Sequence, residues 1–160
     1  MPGTSWSGSG PTLRPVDDGE RIRGLLATYG ERMDAGDFDG VGALFAVGCL
    51  ADEHGTELAR GAEAVARFYG SITRLHDGSP RTKHLVLGTW LADADGDGVV
   101  TARSSYLVLQ AVEPGALLPM ITGRYVDRVA PAADGAWTFV ERRFHVDLTG
   151  DLSRHLTFDL

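Results

Sequence analysis

Apolar residues recur at three- and four-residue spacing along Ile22, Leu25, Leu26, Tyr29 and Met33, which predicts an amphipathic helix with one buried stripe. Asp17 or Asp18 can cap its first turn, Glu20 adds charge of the favourable sign there, and Gly36 is a natural stop. A short second helix is predicted from Asp39 to Ala46, burying Val41, Leu44 and Phe45. Residues 48–60 suit a small hairpin that turns near His54-Gly55. A third helix is predicted from Ala62 to Leu75, with Ala62, Val65, Phe68, Tyr69, Ile72 and Leu75 as its stripe; Asp77-Gly78-Ser79-Pro80 ends it.

From Thr82 onward the period changes to two, and strands are predicted over 82–93, 98–113, 119–130 and 136–148. Asp95-Gly96 and Asp97-Gly98 mark a tight hairpin, Pro114-Gly115 a wider connection, and Pro131 to Gly135 the last turn. In the last strand, alternation puts Trp137, Phe139, Glu141, Arg143 and His145 on one face. Thr138, Val140, Arg142, Phe144 and Val146 take the other. Helices come first and an antiparallel meander second, which is an α+β pattern of one curved antiparallel sheet and three helices in a single domain. One face of such a sheet must be covered, and the helices are the available cover. Strong curvature would leave a pocket between the two layers.

Length and charge narrow the picture. The 160 residues suit one domain. The reading is a flexible tail over 1–16, the α+β domain over 17–150, and a C-terminal tail over 151–160 that can fold over the pocket mouth. A formal charge of -7 has the wrong sign for nucleic acid or an anionic membrane. No apolar stretch approaches the roughly 18–20 residues of a membrane span. The N-terminus lacks a basic region followed by an apolar run, so a cytoplasmic protein is expected. Cys49 is the only cysteine, which excludes a disulfide within the chain, and it reads as a small core residue.

The candidate chemistry begins with Asp34 and His84. Asp34 lies about 140° around the helix from Tyr29 but only about 80° from Leu26, at the edge of the apolar stripe. A carboxylate there can orient an imidazole, which can then move a proton near neutral pH. The alternative is a solvated helix-end charge and a histidine that merely opens a strand. Tyr29 belongs to the core stripe, although its hydroxyl could bond a ligand carbonyl. Asp93-Ala-Asp95-Gly-Asp97-Gly98 resembles the start of a calcium loop, but the twelfth position is Ser104 rather than Glu, so a turn is expected and no metal. His54, His76, His145 and His155 are scattered, without metal-ligand spacing. An arginine of the last strand that faced the cavity would need a carboxylate; Glu141, Asp127 and Asp34 are the candidates.

Several of these segments together carry a family resemblance. They are Tyr29-Gly-Glu-Arg-Met-Asp34-Ala-Gly-Asp37, Leu44-Phe45, Gly61-Ala-Glu-Ala-Val65, Thr82-Lys83-His84-Leu85-Val86, Gly123-Arg-Tyr125-Val-Asp127, and Gly135-Ala-Trp137-Thr-Phe139 with Arg142. In order and spacing the chain resembles SnoaL-like domain proteins of the nuclear transport factor 2-like, or cystatin-like, superfamily. The resemblance implies a cone of curved sheet closed by three helices, an apolar pocket, no organic cofactor, and frequent homodimers through the sheet. It implies dehydration, isomerisation or cyclisation of an apolar oxygenated molecule such as a polyketide or steroid, with Asp34, His84 and Tyr29 as the acid/base group. Val86, Tyr106, Tyr125 and Arg142 are then the expected substrate contacts. A non-catalytic ligand-binding or dimerisation module is the alternative. Gly88 stands where many members carry asparagine. Ser104, Ser105 and Tyr106 offer no second histidine or aspartate acid.

Overall fold

The computed structural model describes residues 17–158, so the tail expected over 1–16 lies outside the described residues. Helix α1 (Asp18–Ala35) begins where the Asp17 side chain accepts a hydrogen bond from the Glu20 N–H at 2.9 Å. It ends where Gly36 takes a left-handed φ of 73°. Gly36 N–H then donates to the Met33 carbonyl at 3.0 Å and Asp37 N–H to the Arg32 carbonyl at 2.9 Å, which satisfies two of the carbonyls that a helix end orphans. The predicted stripe is the buried face: Ile22, Leu25, Leu26, Tyr29 and Met33 all lie in the core.

Helix α2 (Phe38–Ala43) and the turn after it bury Val41 and Phe45. Strands β1 (Cys49–Ala51) and β2 (Glu57–Arg60) form the expected small hairpin. Helix α3 (Ala62–Ile72) stops three residues short of the expected Leu75. Thr73 is already extended there and pairs with Leu156 from the far end of the chain, and Leu75 is exposed. A long-range pairing ends this helix, which local periodicity cannot show.

The meander follows as β3 (Thr82–Leu91), β4 (Val100–Glu113), β5 (Ala116–Pro131) and β6 (Trp137–Thr149). The sheet runs β2-β1-β6-β5-β4-β3, antiparallel except for a parallel β1–β6 pair. The connection at Pro114-Gly115 is narrower than expected. Glu113 pairs with Ala116, leaving a two-residue turn with proline at the first corner and Gly115 at φ 78°. The expected α+β architecture holds: a curved six-stranded sheet, its concave face covered by the three helices.

The last strand departs from simple alternation. Arg128 pairs with Glu141 and Val129 with Phe139, so Val140 is an extra residue on β6. That bulge breaks the period of two. Phe139 and Arg142, expected on opposite faces, are both fully buried on the core side. Arg142 donates two hydrogen bonds of 2.7 Å to Asp127, one of its three candidate partners, and both side chains have zero exposure. Its guanidinium carbon lies 4.1 Å from the Tyr29 ring centre, 4.0 Å from Tyr125 and 4.5 Å from Phe139. Burial opposes the charge on the guanidinium, but Asp127 outweighs it and Arg142 stays protonated. Burial likewise pushes the Asp127 carboxyl up against the pull of Arg142, and the two short bonds keep the pair ionic.

Removing one partner would strand a buried charge. Arg142→Met is expected to lower unfolding free energy in urea by about 3–5 kcal/mol, and Arg142→Met with Asp127→Leu to recover much of that loss. A single variant as stable as the parent would contradict this view of the pair.

Candidate active site

Three consecutive residues of β3 converge on one carboxylate. Asp34, in the last turn of α1, accepts the Thr82 hydroxyl at 2.9 Å and the His84 backbone N–H at 3.0 and 3.1 Å. The Nδ1 of His84 lies 2.6 Å from Asp34 Oδ1. Lys83 Nζ adds a looser ion pair at 3.6 Å from the rim. Because a carboxylate can only accept, Nδ1 carries the proton, and Nε2 makes no hydrogen bond to the described residues. Side-chain exposure is 8% for His84 and 12% for Asp34, so water does little to weaken the contact.

The close approach of helix and strand depends on Gly30. A Cβ at this position would sit 3.1 Å from the Cβ of His84. A larger residue would push α1 away from β3 and lengthen the bonds of Asp34, one turn further along.

Burial alone would raise the Asp34 carboxyl. The His84 imidazole, the His84 backbone N–H and the Thr82 hydroxyl outweigh that and hold it below the usual carboxylate range.

Tyr29 sits deeper. Its hydroxyl shares a 2.6 Å hydrogen bond with that of Tyr69, and its ring meets His84 edge-on at 6.3 Å between centres. One of the two hydroxyls must accept this bond, which leaves its own proton available for another acceptor. Burial raises both phenols above their usual range, so both stay protonated at neutral pH. The partnership with Tyr69 was not visible in the sequence, where Tyr69 was one apolar position of a helix stripe.

The other expected contacts are distributed differently. Tyr106 and Tyr125 stack at 4.3 Å, and the Tyr106 hydroxyl donates to the His145 carbonyl at 3.1 Å. Val86 packs against the core edge. Arg142 is enclosed by its aromatic cage and Asp127, so it builds the apex rather than reaching a ligand. The apex of the cone is therefore filled by aromatic rings, where an open pocket was expected. A cleft of about 310 Å³ lies instead along the α1–β3 junction, lined by Leu26, Gly30, Lys83, His84 and Val86 among others. The Asp93–Gly98 run is a turn, in which Asp95 accepts the backbone N–H groups of Asp97 and Val99 at 3.0 and 2.9 Å. No cluster of metal-binding side chains occurs among the described residues.

Comparison with known proteins agrees with this architecture. A family model described as a SnoaL-like domain matches residues 14–143. The structure is similar to that of a variant of Rv3472, a protein of unknown function from Mycobacterium tuberculosis, with 26% identity, 80% of this chain and 70% of that one covered, and a TM-score of 0.64. It is similar to an NTF2-like protein with a cystatin-like fold from Novosphingobium aromaticivorans, at 22% identity, 86% of each chain and a TM-score of 0.65. A proposed scytalone dehydratase from the same organism is similar at 21% identity, 84% of this chain and 87% of that one, with a TM-score of 0.64. No curated protein matches the chain.

A carboxylate with a depressed pKa binds fewer protons folded than unfolded. Asp34 therefore adds stability above its ordinary titration range, and this is lost as pH falls through its lower folded value. Asp34→Asn is expected to cost about 1–3 kcal/mol in urea unfolding at pH near 7, with the gap to the parent closing in strong acid. A gap that is constant with pH would contradict an ionised, hydrogen-bonded Asp34.

Proposed function

The chain belongs to the SnoaL-like domain family, and from that premise we propose a cofactor-free acid/base enzyme acting on an apolar, oxygenated small molecule such as a polyketide or steroid. The observation that carries this reading is the 2.6 Å contact between Asp34 and Nδ1 of His84, with Nε2 making no hydrogen bond to the described residues. In the proposed reaction Nε2 removes a proton from the carbon beside a ligand carbonyl. The C–H electron pair moves into the new C–C double bond, and the carbonyl π pair onto oxygen. Asp34 stabilises the imidazolium that results. The developing oxyanion takes a hydrogen bond from the free proton of the Tyr29–Tyr69 hydroxyl pair once the ligand enters past the His84 cleft, which neither tyrosine lines. Return of the proton at another carbon gives isomerisation; loss of a neighbouring hydroxyl as water gives dehydration. One dehydratase name among the similar structures accords with this class but does not decide between outcomes.

A second reading keeps the fold without the chemistry. The aromatic filling of the apex, and the Tyr29 hydroxyl already held by Tyr69, favour a binding or dimerisation module. The outer face of the sheet offers a surface for a homodimer in either case. Strand register aligns Leu85, Leu107, Thr122 and Leu148 in one row across four strands, and Leu148 is 70% exposed. Sedimentation is expected to give a dimer for the parent and a monomer for Leu148→Arg; an unchanged mass would rule out this face.

A panel of polyketide-like and steroid ketones, screened by thermal shift and then by turnover, separates enzyme from module. The parent is expected to convert a binder. His84→Ala should abolish conversion, and Asp34→Asn should reduce kcat about a hundredfold or more while binding persists. Binding that is never followed by conversion would support the module.

A further inference from the structure

A cleft of about 560 Å³ lies between the ends of β4 and β5 and the chain that follows β6, and it shares no lining residue with the His84 cleft. Gly150 lets it form. The Gly150 N–H donates to the Met120 carbonyl at 2.7 Å, and a Cβ there would meet the Pro119 carbonyl at 2.8 Å. The chain beyond Gly150 is tied down further on, where Arg74 N–H donates to the His155 carbonyl at 2.7 Å and Thr157 N–H to the Ile72 carbonyl at 2.9 Å. These bonds hold it as a fixed wall opposite β5. Val112, Leu118, Pro119 and Met120 supply apolar surface to the cleft, and Leu118 is 60% exposed.

One buried side chain on this cleft is left incomplete. Gln110 is 6% exposed, and its Nε2 donates to the carbonyls of Pro80 at 3.0 Å and Arg154 at 3.3 Å. Carbonyls only accept, so the nitrogen must face them and Oε1 is fixed on the other side of the amide. Oε1 has no hydrogen-bond partner among the described residues, and it is not sealed in the interior. An acceptor held in this way calls for a donor that enters the cleft. The charges on the cleft set the sign of that donor. Arg154 already pairs with Glu113 at 3.3 Å. Asp151 makes no ion pair among the described residues, and its Oδ1 accepts the Ser153 N–H at 2.9 Å. One uncompensated carboxylate favours a cation over an anion.

We propose that this cleft is a second binding site, for a small molecule with an apolar body and a protonated amine. The ammonium donates to Gln110 Oε1, the Asp151 carboxylate balances its charge, and the apolar body covers Leu118 and Met120. Arg154 is a like charge on the same cleft, and its pairing with Glu113 offsets the repulsion it would exert. A carboxylate in place of the amine would set acceptor against acceptor at Oε1, so the site discriminates against anions. The site does not depend on the reading of Asp34 and His84.

The test uses 1-naphthylmethylamine, 1-methylnaphthalene, which lacks the donor, and 1-naphthoate, which carries the opposite charge. Affinities are measured by fluorescence titration at pH near 7, and the methyl NMR signals of Leu118 and Met120 locate the bound molecule. The parent is expected to bind the amine about tenfold tighter than 1-methylnaphthalene, and 1-naphthoate weakest. Asp151→Asn, which keeps an acceptor for the Ser153 N–H, should weaken the amine about three- to fivefold and leave 1-methylnaphthalene unchanged. Gln110→Met should remove most of the remaining preference, and Ala116→Trp, which fills the cleft, should weaken both molecules. Gln110→Met also loses the bonds to Pro80 and Arg154, so Asp151→Asn and Ala116→Trp carry the test if that variant fails to fold. A parent that binds the amine no tighter than 1-methylnaphthalene, or not at all, would mean that water alone serves Oε1 and would overturn the proposal. Binding that shifts the His84 signals and leaves those of Met120 in place would overturn it too, as would unchanged amine affinity in both Asp151→Asn and Ala116→Trp.

Discussion

A guanidinium with no exposure to water sets the terms for the interior of this protein. Leaving Arg142 charged inside the cone requires the two short bonds from Asp127 and the faces of Tyr29, Tyr125 and Phe139. Tyr29 is the link from that apex to the candidate site. Its ring belongs to the cage, which fixes the rotation of α1 about its own axis. Asp34 lies five residues later on the same helix, so the packing that holds Tyr29 against Arg142 also aims Asp34 at β3. Gly30, between them, lets the helix come close enough for the bonds to form.

The strand answers with three consecutive donors. The Thr82 hydroxyl and the His84 backbone N–H saturate the carboxylate and hold it still, so that Nδ1 of His84 meets a fixed acceptor. This is the preorganisation that the proposed proton transfer needs: the nitrogen proposed to carry it is oriented before any ligand arrives. The same arrangement holds the ends of α1 and β3 together, so one carboxylate serves stability and the proposed chemistry.

The parts legible in the sequence are those written in local periodicity. The stripe from Ile22 to Met33, the stop at Gly36 and the period-two run after Thr82 appear where expected. The meeting of Asp34 and His84 was approached from helix geometry but depended on the family resemblance. What escaped depends on contacts distant in sequence. The bulge at Val140 turns Arg142 inward beside Phe139, against simple alternation, because β6 must match the register of β5. Helix α3 ends early because Thr73 pairs with Leu156. β1 joins the sheet through a parallel pair with β6, which no nearby signal announces.

The most direct measurement on the central claim is ring-nitrogen NMR of His84 in the unliganded protein near neutral pH. The expected result is a proton on Nδ1, hydrogen-bonded to Asp34, with Nε2 bearing the lone pair, and loss of that preference in Asp34→Asn. A neutral ring protonated on Nε2 in the parent would contradict it, because the nitrogen assigned to proton abstraction would then have no lone pair to offer.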